Sequence, residues 1–458
     1  MEFAEFILAH DGDDLGRLAL ARDKYAPEVE DFDLALTTLE VRRKLRYKVP
    51  EWYAEPSLRY PFRLSGEQCS SSETASYKAS LAGQGNVADL TGGLGVDSWA
   101  FAGCAKEVLY NEMQPELCAA AQHNFRELGL KNVVVRNYTV IPSSVIPSSV
   151  IPSSVIPAFS SVIPSEASVS HSATIKEILN GFEPDIIFLD PARRSSDGRK
   201  VFRLEDCSPN VLALRDELLG LAPRLLLKLS PMADISLVCK QLGSVKEVHV
   251  VAADGECKEL LLLLERGYEG DYATVIYENG SVMEGGTEGD VLKPMATLGR
   301  TTPKINSFSG GPDSYPSRGP SVRMGGVAKR RFENITLRIG LSLFEPGKAL
   351  LKAGAFELPC RFGLTKLGKH THLYVGESVP EELKPFGKCF KILEVLPLNN
   401  KTIKDIAKRY PQASVTARNI PLSSDQLRKK LGVKDGGTVH IFGVHVDASG
   451  GNYLVTAN

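Results

Sequence analysis

A glycine-rich turn between an apolar strand and a helix constrains the fold of this 458-residue chain more than any other stretch. Residues 86–97 read NVADLTGGLGVD, with an apolar run leading into Asp89 and an apolar helical face beginning near Asp97. Glycines in such a turn let the backbone pass close beneath a ligand, because they carry no Cβ and tolerate a positive φ. The pattern predicts a strand, a tight turn and a helix, although an ordinary strand-to-helix turn can have the same composition.

Acidic residues end two further predicted strands. Glu112 follows a short apolar strand about twenty residues after the turn, where nucleotide-binding α/β folds place a carboxylate for ribose. Asp190 ends the apolar strand predicted over residues 185–189. Because ligands of open α/β sheets bind at the carboxyl ends of the strands, Asp89, Glu112 and Asp190 are expected to meet in one crevice.

These motifs resemble those of the class I methyltransferases that use S-adenosyl-L-methionine (SAM). The turn has the form D-x-T-x-G-x-G, with Thr91 in place of the usual first glycine, and differs from the dinucleotide fingerprint G-x-G-x-x-G. The stretch from Asp190 through Pro191 to Arg193 is similar to the D/N-P-P-x motif of enzymes that methylate exocyclic amino groups of nucleobases. The resemblance implies an α/β fold with a Rossmann-like methyltransferase sheet of seven strands, the last antiparallel.

The same resemblance implies roles for individual residues. Glu112 is expected to accept hydrogen bonds from the ribose hydroxyls of SAM, and Asp89 to support the turn and the methionine amino group. The residues expected to bind the cofactor are Asp89, Thr91, Gly92, Gly93, Gly95, Asp97, Glu112 and Asp190. Asp190, Pro191 and Arg193 are expected to be catalytic, because a carboxylate and a backbone carbonyl can accept the two N–H bonds of an amine and favour a pyramidal nitrogen.

The identity of the methyl acceptor is less constrained. Enzymes that act on adenine N6 usually carry an aromatic residue at the fourth motif position, where this chain has Arg193, followed by Arg194. A guanidinium can stack on a base or hold a phosphate, so Arg194 is expected to bind substrate and guanine N2 in RNA is slightly preferred over adenine N6. Methylation of uracil C5 competes, but it needs a cysteine nucleophile where this chain has Ser230 and Pro231.

Two alternatives of other kinds stay open. The first is a methyltransferase of a small molecule or a protein, because the fold alone does not determine the substrate. The second is a non-catalytic RNA-binding module with a vestigial SAM site, against which the intact pair Asp190 and Pro191 argues.

The rest of the chain predicts three further regions around a catalytic domain of residues 64–285. Residues 1–63 have apolar side chains at helical spacing and predict a helical domain, while residues 286–330 have the composition of a linker. Residues 331–458 alternate strands and basic helices and resemble the THUMP-like domain that follows the catalytic domain in a bacterial branch of SAM methyltransferases. Tandem VIPSS repeats predict an extended, low-complexity insertion over residues 139–172, and they obscure the residue expected beside the adenine.

The distribution of charge favours RNA as a partner of the C-terminal half. The net charge of the whole chain is −1, but residues 1–40 carry −8 and residues 401–434 carry +7. Arg428, Lys429 and Lys430 are therefore expected to bind RNA phosphates, with an ordinary solvated helix face as the alternative.

The remaining features indicate a cytoplasmic protein without a metal. The eight cysteines are scattered and form no C-x-x-C pair, which is typical of a reducing compartment. The N-terminus lacks the basic and apolar segments of a signal peptide, and no apolar run approaches the ~18 residues of a membrane helix. His370 and His372 have no acidic or cysteine partner at metal-ligand spacing, so we expect no metal and SAM as the cofactor.

Overall fold

The computed structural model of the chain describes residues 2–144, 171–193, 204–285 and 337–458. These residues form two compact units. The first consists of Met1–His249 and Glu259–Ala273, and the second of Val250–Lys258 and Thr274–Asn458.

Helices occur in both units, and most of those in the first unit precede the sheet or connect its strands. Their bounds are α1 Phe3–His10, α2 Leu15–Leu20, α3 Arg22–Tyr25, α4 Phe32–Lys48, α5 Pro50–Tyr53, α6 Arg63–Gln68, α7 Ser72–Ala82, α8 Val96–Ala102, α9 Pro115–Glu127, α10 Ile175–Leu179, α11 Val211–Leu221, α12 Ile235–Leu242, α13 Lys348–Lys352, α14 Leu358–Arg361, α15 Asn400–Arg409 and α16 Ser424–Leu431. Short 3-10 helices lie at Ala26–Glu28, Leu204–Asp206 and Glu381–Phe386.

The strands follow the same chain order. They are β1 Val87–Asp89, β2 Val108–Asn111, β3 Val133–Arg136, β4 Tyr138–Ile141, β5 His171–Thr174, β6 Ile186–Leu189, β7 Ala192–Arg193, β8 Cys207–Ser208, β9 Arg224–Leu229, β10 Val245–Ala253, β11 Glu256–Glu265, β12 Ala273–Glu278, β13 Ser281–Gly285, β14 Ser342–Pro346, β15 Thr365–Lys366, β16 Tyr374–Gly376, β17 Gly387–Pro397, β18 Ser414–Arg418, β19 His440–Val446 and β20 Gly451–Ala457.

The main sheet of the first unit has the strand order β3-β2-β1-β6-β9-β11-β10. The pairs β1–β2, β1–β6, β2–β3 and β6–β9 are parallel, whereas β11 is antiparallel to β9. The three strands at the centre, β2, β1 and β6, are buried along their whole length, as expected for a parallel sheet covered by helices on both faces. The predicted Rossmann-like methyltransferase sheet is confirmed. Beyond β10, the same sheet continues with the hairpin of β12 and β13, so the sheet has nine strands in all.

Helix starts in the first unit agree with the capping residues in the sequence. Asp31 accepts a hydrogen bond from the backbone N–H of Leu34 and starts α4, and Ser71 accepts one from Thr74 and starts α7. Helix α11 begins at Val211, because Asn210 caps it and Ser208 pairs within β8. Local capping therefore determines these boundaries more sharply than apolar periodicity does.

The ends of the predicted insertion differ from the expectation of an extended, unpacked chain. β4 and β5 pair as a parallel two-stranded ladder, with Tyr138 opposite His171 and Ile141 opposite Thr174. The residues of β4, Tyr-Thr-Val-Ile, are β-branched or aromatic and favour a strand. Most of the VIPSS repeats lie outside the described residues.

The second unit contains a sheet of strand order β15-β16-β14-β17-β20-β19-β18. β18 and β19 are parallel, and the other assigned pairs are antiparallel. Helices α15 and α16 pack their apolar side chains into one core with strand residues such as Ile441 and Leu454. The Asn279-Gly280 turn between β12 and β13 has positive φ at both residues, the conformation that an Asn-Gly hairpin turn requires.

A buried carboxyl group makes the stability of the second unit depend on pH. Glu278 on β12 is 4% exposed and accepts a hydrogen bond from the backbone N–H of Lys348, at the start of α13. Burial raises the pKa of Glu278 to about 7. In the unfolded chain this carboxyl would ionise at its ordinary, lower pKa, so its contribution favours folding at low pH and is lost as the pH rises toward 7.

The variant Glu278→Gln is therefore expected to melt several degrees higher than the wild type at pH 8, because the buried negative charge is removed while an acceptor oxygen is kept. The difference should shrink toward zero at pH 5. Thermal melts at both pH values test this, with the exposed Glu382→Gln as the control that should change neither melt. Equal stabilisation at pH 5 and pH 8 would contradict the titration of Glu278 in this range.

Among the described residues, no helix is long and apolar enough to cross a membrane. All eight cysteines lie within the described ranges and are free thiols there.

Candidate functional site

The glycine-rich turn after β1 needs glycine for two physical reasons. Gly93 and Gly95 have φ values of 54° and 94°, a region that side chains disfavour. A Cβ on Gly92 would lie 2.1 Å from the ring of Tyr110, which is completely buried. The turn is fastened to β2 by the Gly92 N–H, which donates to the Asn111 carbonyl at 2.8 Å, and by the Tyr110 hydroxyl, which donates to the Gly93 carbonyl at 2.6 Å.

Asp89 supports this turn and the helix after it through two hydrogen bonds. Its Oδ1 accepts the backbone N–H of Thr91 at 3.1 Å, and its Oδ2 accepts the hydroxyl of Ser98 at 2.6 Å. The side chain is fully buried, and this burial raises the pKa of Asp89 to about 7 although both hydrogen bonds oppose the rise. Asp89 thus supports the turn directly, whereas its carboxyl oxygens face the protein interior.

Glu112 lies just beyond the end of β2, beside the turn. Its Oε2 accepts the Gly93 N–H at 2.9 Å and its Oε1 accepts the Gln114 N–H at 2.8 Å. Burial raises the pKa of Glu112, and these backbone N–H groups oppose the rise. A carboxylate has about four acceptor sites, so Glu112 can accept a further hydrogen bond beyond those of its backbone donors Gly93, Met113 and Gln114.

A side-chain hydrogen bond joins the turn to the predicted acceptor motif. The hydroxyl of Thr91 accepts the backbone N–H of Asp190 at 2.7 Å, and the backbone N–H of Leu90 donates to the Phe188 carbonyl at 3.1 Å. The carboxyl ends of β1 and β6 are therefore held together. The structure brings Asp89, Glu112 and Asp190 to one edge of the sheet, as the sequence predicts.

Asp190 is the most open of these three carboxylates and ends a buried network of charges. Its side chain is 38% exposed, and its Oδ2 pairs with the Lys228 ammonium at 2.5 Å. Lys228 lies 3.8 Å from Glu259, and Glu259 pairs with Lys78 at 2.9 Å. Burial alone would lower the pKa of Lys228, but the carboxylates of Asp190 and Glu259 outweigh it and raise that pKa overall.

The network continues to the helix that follows the turn. The Lys78 ammonium is completely buried, lies 3.1 Å from Oδ1 of Asp97 and donates to the hydroxyl of Ser70 at 2.8 Å. Ser70 in turn donates to Oδ2 of Asp97 at 2.9 Å. Asp97, predicted to bind the cofactor, is therefore held by its neighbours in the first turn of α8.

Sequence reasoning missed Lys228, Lys78 and Glu259. A signal was present, because Lys228 interrupts the apolar run LLLKL of β9 and Glu259 begins the apolar run ELLLLL of β11. A charge inside a buried strand needs a partner of opposite charge. Which charges pair is a property of the folded chain, since these three residues are far apart in sequence.

Of the other predicted catalytic residues, the structure describes Pro191 and the backbone of Arg193. Pro191 is buried beside Asp190, and the backbone of Arg193 pairs with Cys207 in the ladder of β7 and β8. Arg194 lies outside the described residues. Asn137, just before the predicted insertion, donates from its Nδ2 to the backbone carbonyl of Glu112 at 2.7 Å.

The predicted RNA-binding residues occupy α16 in the second unit. Lys429 and Lys430 are exposed there. Arg428 pairs with Asp425 at 3.1 Å and with Asp435 at 3.0 Å, so acidic neighbours partly neutralise it. Of the three residues, the two lysines are the freer cations.

Within the described residues, no group of three or more His, Cys, Asp or Glu side chains is placed to hold a metal ion. The polar groups at the sheet edge are backbone N–H groups, carboxylates and ammonium groups, which suit an organic ligand with hydroxyl and amino groups.

Comparison with known proteins gives a match that spans the whole chain. A crystal structure of a candidate methyltransferase from Porphyromonas gingivalis W83 matches with a TM-score of 0.71 and 29% sequence identity, covering 100% of this chain and 97% of that chain. Two family models match the C-terminal region, a THUMP domain-like model over residues 387–456 and a ferredoxin-like domain over residues 343–383. The chain has the architecture of a class I SAM-dependent methyltransferase with a C-terminal THUMP-like domain. The predicted family resemblance and fold class are confirmed.

Further solved structures match part of the chain. An rRNA methylase from Streptococcus thermophilus has 12% identity and a TM-score of 0.26, covering 42% of this chain and 94% of that chain. A SAM-dependent methyltransferase from Aquifex aeolicus has 17% identity and a TM-score of 0.25, covering 42% of this chain and 89% of that chain. No curated protein matches this SAM methyltransferase-like chain. The match over the whole chain supports the predicted enzyme class, a methyltransferase.

Proposed function

We propose that this protein transfers the methyl group of SAM to an exocyclic amino group of a base in RNA, with guanine N2 preferred over adenine N6. The observation that carries the proposal is the position of Asp190. Its partly exposed carboxylate follows β6, and its backbone N–H is bonded to Thr91 in the glycine-rich turn at 2.7 Å. Methyl transfer requires donor and acceptor atoms about 3–3.5 Å apart, and a hydrogen-bond acceptor fixed beside the cofactor turn serves that need.

The residues present at the turn fit SAM as the ligand. A Cβ on Gly92 would clash with the ring of Tyr110, so glycine is required there, and in this proposal the backbone of the turn lies against the ligand. In this proposal the Glu112 carboxylate accepts hydrogen bonds from the ribose hydroxyls. In this proposal the cofactor lies against the backbone of Thr91, Gly93 and Gly95. Asp89 supports this turn, and Asp97 supports the start of α8.

The chemistry assigned to the chain is the orientation of a weak nucleophile. When bound, SAM supplies a methyl group on a sulfonium; the amine nitrogen takes it up and the electrons of the carbon–sulfur bond stay on sulfur. Asp190 and the backbone carbonyl of Pro191 or Ala192 would accept the N–H bonds of the amine. Positive charge grows on nitrogen during the transfer, so a fixed carboxylate stabilises the transition state more than the ground state. The surplus proton of the methylated amine leaves to water.

The preference for guanine rests on the fourth motif position. Adenine-N6 enzymes usually stack the base on an aromatic side chain there, and this chain has Arg193. In the proposal Arg193 stacks on the base or binds phosphate, and the following Arg194 binds substrate.

RNA binding is assigned to the outer faces of α15 and α16. Exposed lysines occur on both helices, and the two helices pack into one core. We call this set the two-helix basic surface: Lys401, Lys404, Lys408, Lys429 and Lys430. The match of the same region to a THUMP domain-like model supports RNA as the polyanion.

We further propose that the protein works in the cytoplasm, where its eight free thiols would stay reduced.

The two-helix basic surface gives a prediction about salt. Replacing Lys404, Lys408, Lys429 and Lys430 with glutamine should weaken RNA binding, and the slope of log K against log salt should shrink by up to about 0.7–0.9 per lost phosphate contact. SAM affinity should be unchanged. The control is Lys384→Gln, an exposed lysine outside both helices that pairs with Glu381. If the fourfold variant binds RNA as well as the wild type at every salt concentration, these lysines are only a solvated face.

Glu112 gives a prediction about the cofactor. Glu112→Ala should weaken SAM binding by about 1.5–3 kcal/mol, because hydrogen bonds to a charged group are lost and two backbone N–H groups lose their acceptor. Isothermal titration calorimetry with SAM measures this, with the exposed Glu116→Ala on α9 as the control. NAD binding without SAM binding would contradict the cofactor assignment.

The proposed function is tested by incubating the purified protein with labelled SAM and total RNA from cells that lack it. Transfer of label to RNA, recovered as N2-methylguanosine or N6-methyladenosine after digestion, is the expected result. Label confined to the small-molecule fraction or to protein in a matched cell extract would instead support the second candidate, a methyltransferase of another acceptor.

A further inference from the structure

Asp190 pairs with a positively charged residue, Lys228, that lies outside the motif running from Asp190 to Arg193. Lys228 is the penultimate residue of β9, and its ammonium contacts Oδ2 of Asp190 at 2.5 Å. The lysine side chain is 14% exposed, so the pair is largely shielded from water. Lys228 occupies Oδ2 of Asp190, and among the described residues Oδ1 has no hydrogen-bond donor, so Oδ1 can accept one from a ligand.

Lys228 also has a second, longer ion pair, with Glu259 at 3.8 Å. Its Cα partner across the antiparallel ladder is Leu261, so Glu259 lies two residues along β11 on the same face of the sheet. Glu259 is 5% exposed and receives the Lys78 ammonium at 2.9 Å and 3.1 Å. Lys78 is anchored in turn by Asp97 and Ser70, close to the cofactor turn.

The network therefore connects the two halves of the site. Three carboxylates, Asp190, Glu259 and Asp97, alternate with two ammonium groups, Lys228 and Lys78, so its formal charge is −1. Each buried charge has an opposite partner, which offsets the cost of removing it from water. A rigid chain of this kind suits the positioning of a reactive group, since its members cannot move independently.

We propose that Lys228 is a positioning residue for methyl transfer: its ammonium holds Oδ2 of Asp190 so that Oδ1 faces the amine of the acceptor, with Glu259 and Lys78 fixing the lysine. This role rests on the proposed function and adds a residue to it. Lys228 itself does not touch the acceptor. A displacement of the carboxylate by about 1 Å is enough to cost about 100-fold in rate, which sets the size of the expected effect.

The test compares variants of Lys228 in the labelled-SAM assay with total RNA from cells that lack the protein. Lys228→Met should lower kcat by about 10- to 100-fold and leave the KM for SAM nearly unchanged, because the cofactor turn is held by other contacts. Lys228→Arg keeps the charge and should recover part of the lost kcat, whereas Lys228→Gln should not. If Lys228 only stabilised the fold, its loss would not lower kcat while leaving the KM for SAM unchanged, and arginine would not restore the lost kcat.

The matched control is Lys246→Met in the same sheet. Lys246 on β10 pairs with Glu265 at 2.6 Å, and Glu265 lies opposite Arg224, at the end of β9 remote from Lys228. This variant loses one lysine–glutamate pair and should keep the wild-type kcat. If Lys228→Met does not fold, the double variant Lys228→Gln with Glu259→Gln takes its place in the assay, because it removes one charge of each sign.

The outcomes separate the two claims. If the wild type transfers no methyl group to any acceptor, the proposed function fails and the role of Lys228 fails with it. If the wild type is active and a folded Lys228→Met variant has the same kcat, the proposed function stands and the inference about Lys228 is overturned. Loss of kcat with recovery in Lys228→Arg supports both.

Discussion

Replacing Asp190 with alanine should lower kcat for methyl transfer by about 100- to 1,000-fold, the size of effect seen when a group that stabilises developing charge is removed. The reason is that Asp190 presents the open carboxylate of the site, and its hydrogen bonds matter most as charge grows on the acceptor nitrogen. SAM binding should largely survive, because the turn is held to β2 by Tyr110 and Asn111. Turnover assays with labelled SAM, together with calorimetry, measure the two effects separately.

The control for this variant is Asp216→Ala on α11, whose carboxylate is 88% exposed and pairs with neighbouring Arg215. That variant should behave as the wild type in both assays. If Asp190→Ala retained normal turnover, a direct contact between Asp190 and the acceptor amine would be wrong, and the acceptor would have to be oriented elsewhere.

Gly92→Ala is the second change with a large expected effect. The new Cβ would lie 2.1–2.7 Å from three atoms of the Tyr110 ring. Tyr110 cannot easily give way, because it is completely buried, packs its ring against Phe125 and donates its hydroxyl to Gly93. Overpacking of this kind costs about 1–3 kcal/mol. Because the strain falls on the turn itself, SAM affinity should fall by about 10- to 100-fold, and the melting temperature should also fall.

Gly220→Ala is the matched control for this substitution. Gly220 lies in α11, and a Cβ there would meet no described atom within 4 Å. The control should leave SAM binding unchanged and stabilise the protein by about 0.5–1 kcal/mol, because alanine is the better helix former. Wild-type SAM affinity in Gly92→Ala would mean that the cofactor does not lie against this part of the turn.

The sequence was most informative where local chemistry and strand order coincide. The glycine turn, Glu112 and Asp190 each stand at the end of a short apolar strand, and parallel strands bring their carboxyl ends to one edge. Their convergence was therefore predictable without a structure. Helix caps such as Asp31 and Ser71 were predictable for the same reason, because a cap depends on neighbours within a few residues.

Features that depend on distant residues were not predictable in this way. The chain of charges from Asp190 to Lys78 joins β9, β11 and α7, and sequence spacing does not show which lysine meets which carboxylate. The burial of Asp89 was hidden as well, since a strand-end aspartate can face either the ligand or the interior. The pairing of β4 with β5 was missed because the repeats between them dominate the local composition.

The central claim is that this protein methylates an amino group of a base in RNA. Mass spectrometry of nucleosides from cells lacking the protein, compared with the same cells carrying the wild type or Asp190→Ala, tests it most directly. The account predicts that one N-methylated nucleoside, with N2-methylguanosine favoured, is reduced in the deletion, restored by the wild type and not restored by Asp190→Ala. Identical nucleoside profiles in all strains would contradict the claim.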